Sequence, residues 1–171
     1  MAKAAGISHT MVGRSMTAAC EVFERTTRRY GRPAFGFDQT AVDGHAIAVR
    51  EEVLLDLPFC KLIHCDRAVP EAIARTQPRI LIVAPMSGHY ATLLRGTVQA
   101  LLPHADVCIT DWQDARSVPY GHGRFDLDTY VDYLVQMFRL FEGDVHVLAV
   151  CQPSVPVLAA VSLLEEAGDE D

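Results

Sequence analysis

The box AVCQP, residues 149–153, stands where an apolar run, DVHVLAV, gives way to SVPVLAAVSLL, whose spacing is helical. A cysteine at such a turn is presented at the carboxyl edge of a parallel sheet, where folds of this kind bind ligands. The nucleophile-elbow pattern G-x-S-x-G keeps small residues two before and two after the nucleophile, so that strand and helix approach around a strained backbone. Ala149 meets that size demand. Pro153 has a φ suited to the first turn of a helix and lacks an amide proton that would go unpaired there. The Gln152 amide is then free to act as an oxyanion donor at a helix N-terminus, where partial positive charge favours both an oxyanion and a thiolate. Cys151 is the candidate catalytic nucleophile, weighed against the usual place of cysteine as a small, inert, buried residue.

A second loop completes the candidate site. APMSGHY, residues 84–90, leaves the apolar run RILIVAP, and its turn can supply the other oxyanion amide, from Met86 or Ser87, with Gly88 allowing a tight approach. His89 is a candidate pocket residue on the same loop. Asp111 and Trp112, with Asp114 beyond them, stand at the end of ADVCITDW, where a turn or a substrate pocket is equally open. CKLIHC, residues 60–65, imitates a metal cluster, but strand alternation puts Cys60 and His64 on one face and Cys65 on the other, so no metal is expected there. His104 and His122 read as loop histidines.

These residues need a scaffold, and the chain is long enough for one. Its 171 residues are 50% hydrophobic and 22% charged, which suits one ordinary globular core. A net charge of −7 with scattered basic residues excludes a phosphate-backbone footprint, so no nucleic acid partner is expected. No stretch approaches the roughly 20 apolar residues of a membrane span. The five cysteines, odd in number, and the lack of a charged-then-apolar leader pattern suit a reducing cytoplasm; Arg28-Arg29 is followed by no apolar run.

The order of elements follows from periodicity. Thr10 to Tyr30 reads as a helix with Met11, Met16, Val22 and Phe23 in a stripe suited to core packing more than to a granule surface. AIAVREEVLLDL and FCKLIHCD form two early strands divided by Pro58, and RILIVAP is a strand buried on both faces. Helical spacing after Thr92, the strand ADVCITDW, a helix from Phe125 to Phe141, the strand DVHVLAV and a last helix follow. Asp126 and Asp128 suit the positive end of the Phe125–Phe141 helix. This alternation predicts an α/β fold with a doubly wound, mostly parallel sheet. Residues 1–35 form an amino-terminal helical segment and 36–171 the sheet-bearing domain.

FCKLIHCDR, APMSGHYATLLRGTVQALLPHADVCITDWQDARSVP and AVCQPSVPVLAAVSLL together closely resemble the amino-terminal half of intracellular polyhydroxyalkanoate (polyhydroxybutyrate) depolymerases, over roughly residues 28–168. The resemblance implies an α/β-hydrolase-like fold and a cytoplasmic, granule-associated ester hydrolase. Cys151 sits where that family places its nucleophile. It would attack a 3-hydroxyacyl ester to give a thioester, resolved by water or by the thiol of coenzyme A, with no resident cofactor. Its partner would be the polyhydroxybutyrate granule or a 3-hydroxyacyl oligomer, and a homo-oligomer is allowed. The family's acid and histidine come later in the chain than the nucleophile, whereas all seven histidines here precede Cys151. The expectation is therefore an amino-terminal part of the enzyme, with the carboxyl-terminal part of the domain missing. A polyhydroxyalkanoate synthase-like acyltransferase, a non-catalytic granule-associated remnant, and a dyad of Cys151 with His89 are the alternatives.

Overall fold

The structure, a computed structural model, describes residues 10–28, 31–86, 90–142 and 144–168. The chain divides into two compact units, residues 1–32 and 33–171. The first contains α1, Met11–Thr27, whose N-terminus is capped by Thr10 accepting a hydrogen bond from the Gly13 amide at 3.0 Å. Within this unit Met11, Met16, Val22 and Phe23 are exposed.

In the second unit six strands form one sheet in the order β1-β2-β3-β5-β4-β6. They are β1 Gln39–Val42, β2 His45–Asp56, β3 Cys60–Arg67, β4 Arg79–Val83, β5 Asp106–Trp112 and β6 His146–Ala149. Between them lie the short α2, Glu71–Ala74, then α3, Arg95–Leu101, and α4, Leu127–Leu140; α5, Ser154–Ala167, follows β6. The α/β class and the alternation of elements agree with the sequence reading. The sheet is mixed, however, where mostly parallel pairing was expected. β4 runs parallel to β5 and β6, while β1/β2, β2/β3 and β3/β5 are antiparallel. For β1/β2 and β2/β3 the reason is local: two-residue connections can join only antiparallel neighbours. Asp43 and Gly44 make one such turn with φ of 49° and 79°, and Pro58-Phe59 make the other between mutually hydrogen-bonded Leu57 and Cys60.

Alternation along the central strands builds a core on each face of the sheet. Leu62, Leu81, Val83 and Cys108 meet Leu134 and Met137 of α4 and Ala160 of α5 on one side. Ile63, Ile82, Val107 and Ile109 meet Val98 of α3, Leu102 and Phe35 on the other. Asp126 caps α4 by accepting from the Thr129 amide at 3.1 Å. At the amino-terminal ends of β4 and β5, Asp106 joins three strands: it accepts from His64 of β3 at 2.6 Å and from Arg79 of β4 at 3.0 Å. Among the described residues β6 pairs only with β4, and Leu148 on β6 and Val155 and Leu158 on α5 are exposed. No helix among the described residues is long and apolar enough to cross a membrane.

Candidate active site

The parallel strands β5, β4 and β6 point their carboxyl ends the same way, and the loops that leave β4 and β6 emerge side by side. The last bond of that ladder runs from the Val150 amide to the Val83 carbonyl at 3.2 Å. One residue later the chain must turn from strand into helix. Cys151 makes the turn with φ of 69°, in the left-handed region where a side chain bearing a Cβ is disfavoured. Its carbonyl accepts from the Ser154 amide at 3.2 Å and from Ser154 Oγ at 2.8 Å, which closes the turn onto α5. Pro153 has φ of −57° and leads straight into the helix. Small Ala149 and pre-set Pro153 thus stand on either side of a residue with a left-handed φ.

Cys151 is exposed. The Gln152 amide, at the positive end of α5, makes no hydrogen bond among the described residues. Of the other cysteines, Cys60, Cys65 and Cys108 are buried and Cys20 is exposed on α1. Burial, assisted by the Asp111 charge, drives the Cys60 thiol well above its ordinary value, and burial first of all pushes Cys65 and Cys108 up to about 12. These three remain thiols near neutrality and are unsuited to nucleophilic attack.

On the neighbouring loop Met86 is 40% exposed, while Ser87 and His89 lie outside the described residues. Asp111 and Trp112 are the last two residues of β5, and both are buried. With Thr110 they hold the ends of the connection that leaves β4. Thr110 Oγ1 accepts from the Ala84 amide at 2.9 Å, and Trp112 Nε1 donates to the Ala84 carbonyl at 2.9 Å. Asp111 Oδ1 accepts from the Ala91 amide at 3.1 Å. The Trp112 ring lies edge-on to Tyr130 and Phe125, with centroids 4.4 and 5.6 Å away. Sequence reading singled out Asp111 and Trp112 but passed over Thr110, whose one signal is a hydroxyl interrupting an apolar strand.

The described histidines lie elsewhere. His64, His104 and His146 are at the amino-terminal ends of the parallel strands, His45 opens β2, and His122 lies in a short turn, Tyr120–His122, beyond β5. None hydrogen-bonds Cys151. Cys60 and Cys65 fall on opposite faces of β3, and no group of three His, Cys, Asp or Glu among the described residues could hold a metal ion. A cavity of about 520 Å³ lies between α4 and α5, lined by residues that include Asp128, Val131, Ser162 and Glu166, away from the elbow. Compared with known proteins, the chain matches no family model, no curated protein and no solved structure.

Proposed function

We propose that this chain is the nucleophile-bearing part of a cysteine-dependent ester hydrolase of the α/β-hydrolase kind, acting on 3-hydroxyacyl esters as polyhydroxybutyrate depolymerases do. The observation that carries the reading is the left-handed Cys151 at the turn between β6 and α5, exposed at the carboxyl edge of the parallel strands. A folded chain holds a non-glycine residue in that conformation at a cost of about 1–3 kcal/mol, and such strain clusters at functional sites. The substrate class rests on the sequence resemblance.

In the proposed reaction the Cys151 thiolate attacks the ester carbonyl carbon, and the negative charge on the carbonyl oxygen is met by the Gln152 amide and an amide after β4. Collapse breaks the carbon–oxygen bond of the ester. The departing alkoxide takes a proton from a general acid, and a thioester stays on Cys151. Water then releases the 3-hydroxy acid, or the thiol of coenzyme A takes the acyl group as a new thioester. The acid and histidine of the triad would come from polypeptide pairing along the edge of β6 away from β4, where Leu148 is partly exposed. The enzyme would work on storage granules in the cytoplasm.

An activated ester tests the nucleophile without calling on a general acid, because p-nitrophenolate leaves without being protonated. After incubation with p-nitrophenyl 3-hydroxybutyrate, peptide mass spectrometry should find one 3-hydroxybutyryl group on Cys151 and none on Cys20, the other exposed cysteine. Acylation of both cysteines at equal rates would mark Cys151 as an ordinary surface thiol and remove the proposal's foundation.

A further inference from the structure

β4 and β5 pair through their backbones as far as Ile82 and Ile109. Past that point β4 leaves the ladder, yet its chain is not released. The amide and the carbonyl of Ala84 are each taken by a side chain of β5, Thr110 and Trp112 respectively, both at 2.9 Å. Thr110 and Trp112 lie two apart and so share a face of the strand, which lets them grip one residue from both sides, at the two successive peptide groups that Ala84 joins. Asp111, on the opposite face, takes the Ala91 amide where the connection re-enters the fold. All three side chains are nearly inaccessible, at 0%, 7% and 1% exposure for Thr110, Trp112 and Asp111, and so are Ala84 and Ala91 at 2% each. A simple connection between β4 and the next helix needs none of this. Consecutive residues of one strand fix both ends of it, and its first end follows Val83, which pairs with Ala149 and accepts from the Val150 amide one residue before Cys151.

We infer that Thr110, Asp111 and Trp112 are positioning residues for the Cys151 reaction: by gripping Ala84 and Ala91 they aim the start of the β4 loop, with the Met86 amide, at the carbonyl oxygen of the substrate. The inference rests on the reading of Cys151 as a nucleophile. An oxyanion donor acts only if it is already in place when charge develops, and a misplacement of about 1 Å can cost about 10²-fold in rate. Buried side-chain bonds hold the exit direction of a loop more tightly than a solvated turn does, because the competing state leaves polar groups dry and unpaired.

The test compares two reactions at one sulfur. Acylation of Cys151 by p-nitrophenyl 3-hydroxybutyrate passes through an oxyanion. Alkylation by iodoacetamide displaces iodide from a saturated carbon and forms none. Thr110→Val keeps the side-chain shape and removes the acceptor, and Thr110→Ser restores it. In Thr110→Val, Cys151 acylation should fall at least about tenfold, towards the about 10²- to 10³-fold that loss of one oxyanion donor costs. Alkylation should be unchanged, and Thr110→Ser should recover acylation. Trp112→Phe removes the other grip and gives the same split should Thr110→Val fail to melt cooperatively. Acylation unaltered in these variants, or both reactions slowed alike, overturns the positioning role while leaving Cys151 as nucleophile. A wild-type chain whose Cys151 is alkylated but never acylated overturns the nucleophile reading itself, and the inference with it.

Discussion

Replacing Cys151 with glycine should leave the protein more stable than replacing it with alanine, the reverse of the usual order. Cys151 is exposed, so neither change removes core packing and the backbone decides the difference. At φ of 69° a residue with a Cβ pays roughly 1–2 kcal/mol that glycine does not. Against that, glycine loses more freedom on folding, roughly 0.5–1 kcal/mol relative to alanine. The balance favours Cys151→Gly over Cys151→Ala by about 0.5–1 kcal/mol. For a chain of this size that difference moves the melting temperature by about 1–4 °C. The assay is thermal or urea unfolding of the two variants side by side, with Leu158, exposed in α5, as the opposite case. Leu158→Gly should be less stable than Leu158→Ala by about 1 kcal/mol, the ordinary helical penalty. If Cys151→Gly proves no more stable than Cys151→Ala, while the Leu158 pair behaves as stated, the elbow conformation is wrong and the argument for the nucleophile loses its main support.

The His64–Asp106 contact predicts a pH dependence of stability. The hydrogen bond that His64 donates to Asp106 holds the His64 pKa above its ordinary 6.5 despite burial, with the charges of Asp106, Asp66 and Glu52 adding to it. For Asp106 burial pulls upward, but His64 and Arg79 outweigh it and leave the carboxyl lowered. A raised histidine pKa contributes stability that is complete below 6.5 and is lost as pH climbs through the higher folded value. Urea midpoints should therefore fall as pH rises past neutrality, and His64→Gln should flatten that slope; an unchanged slope would mean that the contact does not form. Leu81→Ala, a truncation at a fully buried position of β4, should cost about 2–5 kcal/mol in unfolding experiments, whereas Leu158→Ala at an exposed position of α5 should stay within about 0.5 kcal/mol. Equal effects at the two sites would contradict the assigned core.

Most of the scaffold was readable from periodicity because each element carries its own signal. RILIV and DVCITDW are strands buried on both faces and read as continuous apolar runs. Asp126 suited the positive end of the helix read over Phe125–Phe141, and it caps α4, which begins at Leu127. β1 escaped notice although Asp43-Gly44, a strong short-range hairpin signal, announced its turn. The stripe on α1 shows the limit of such patterns: spacing tells which residues share a face and not what that face meets.

The sequence by itself determined where the chain changes from strand to helix and which small or rigid residues surround Cys151, because these depend on neighbours a few positions away. Only the tertiary structure decided which strands lie side by side. β5 enters the sheet between β3 and β4, a choice set by burying two faces at once. That placement brings Thr110 and Trp112 to Ala84 across 26 and 28 residues of chain, and Asp106 to His64 across 42. Contacts at such separations are products of packing and closure, and local periodicity carries no record of them. The left-handed φ of Cys151 belongs to both levels: Ala149 and Pro153 permit it, and the need to pass from β6, tied to Val83, into α5 imposes it.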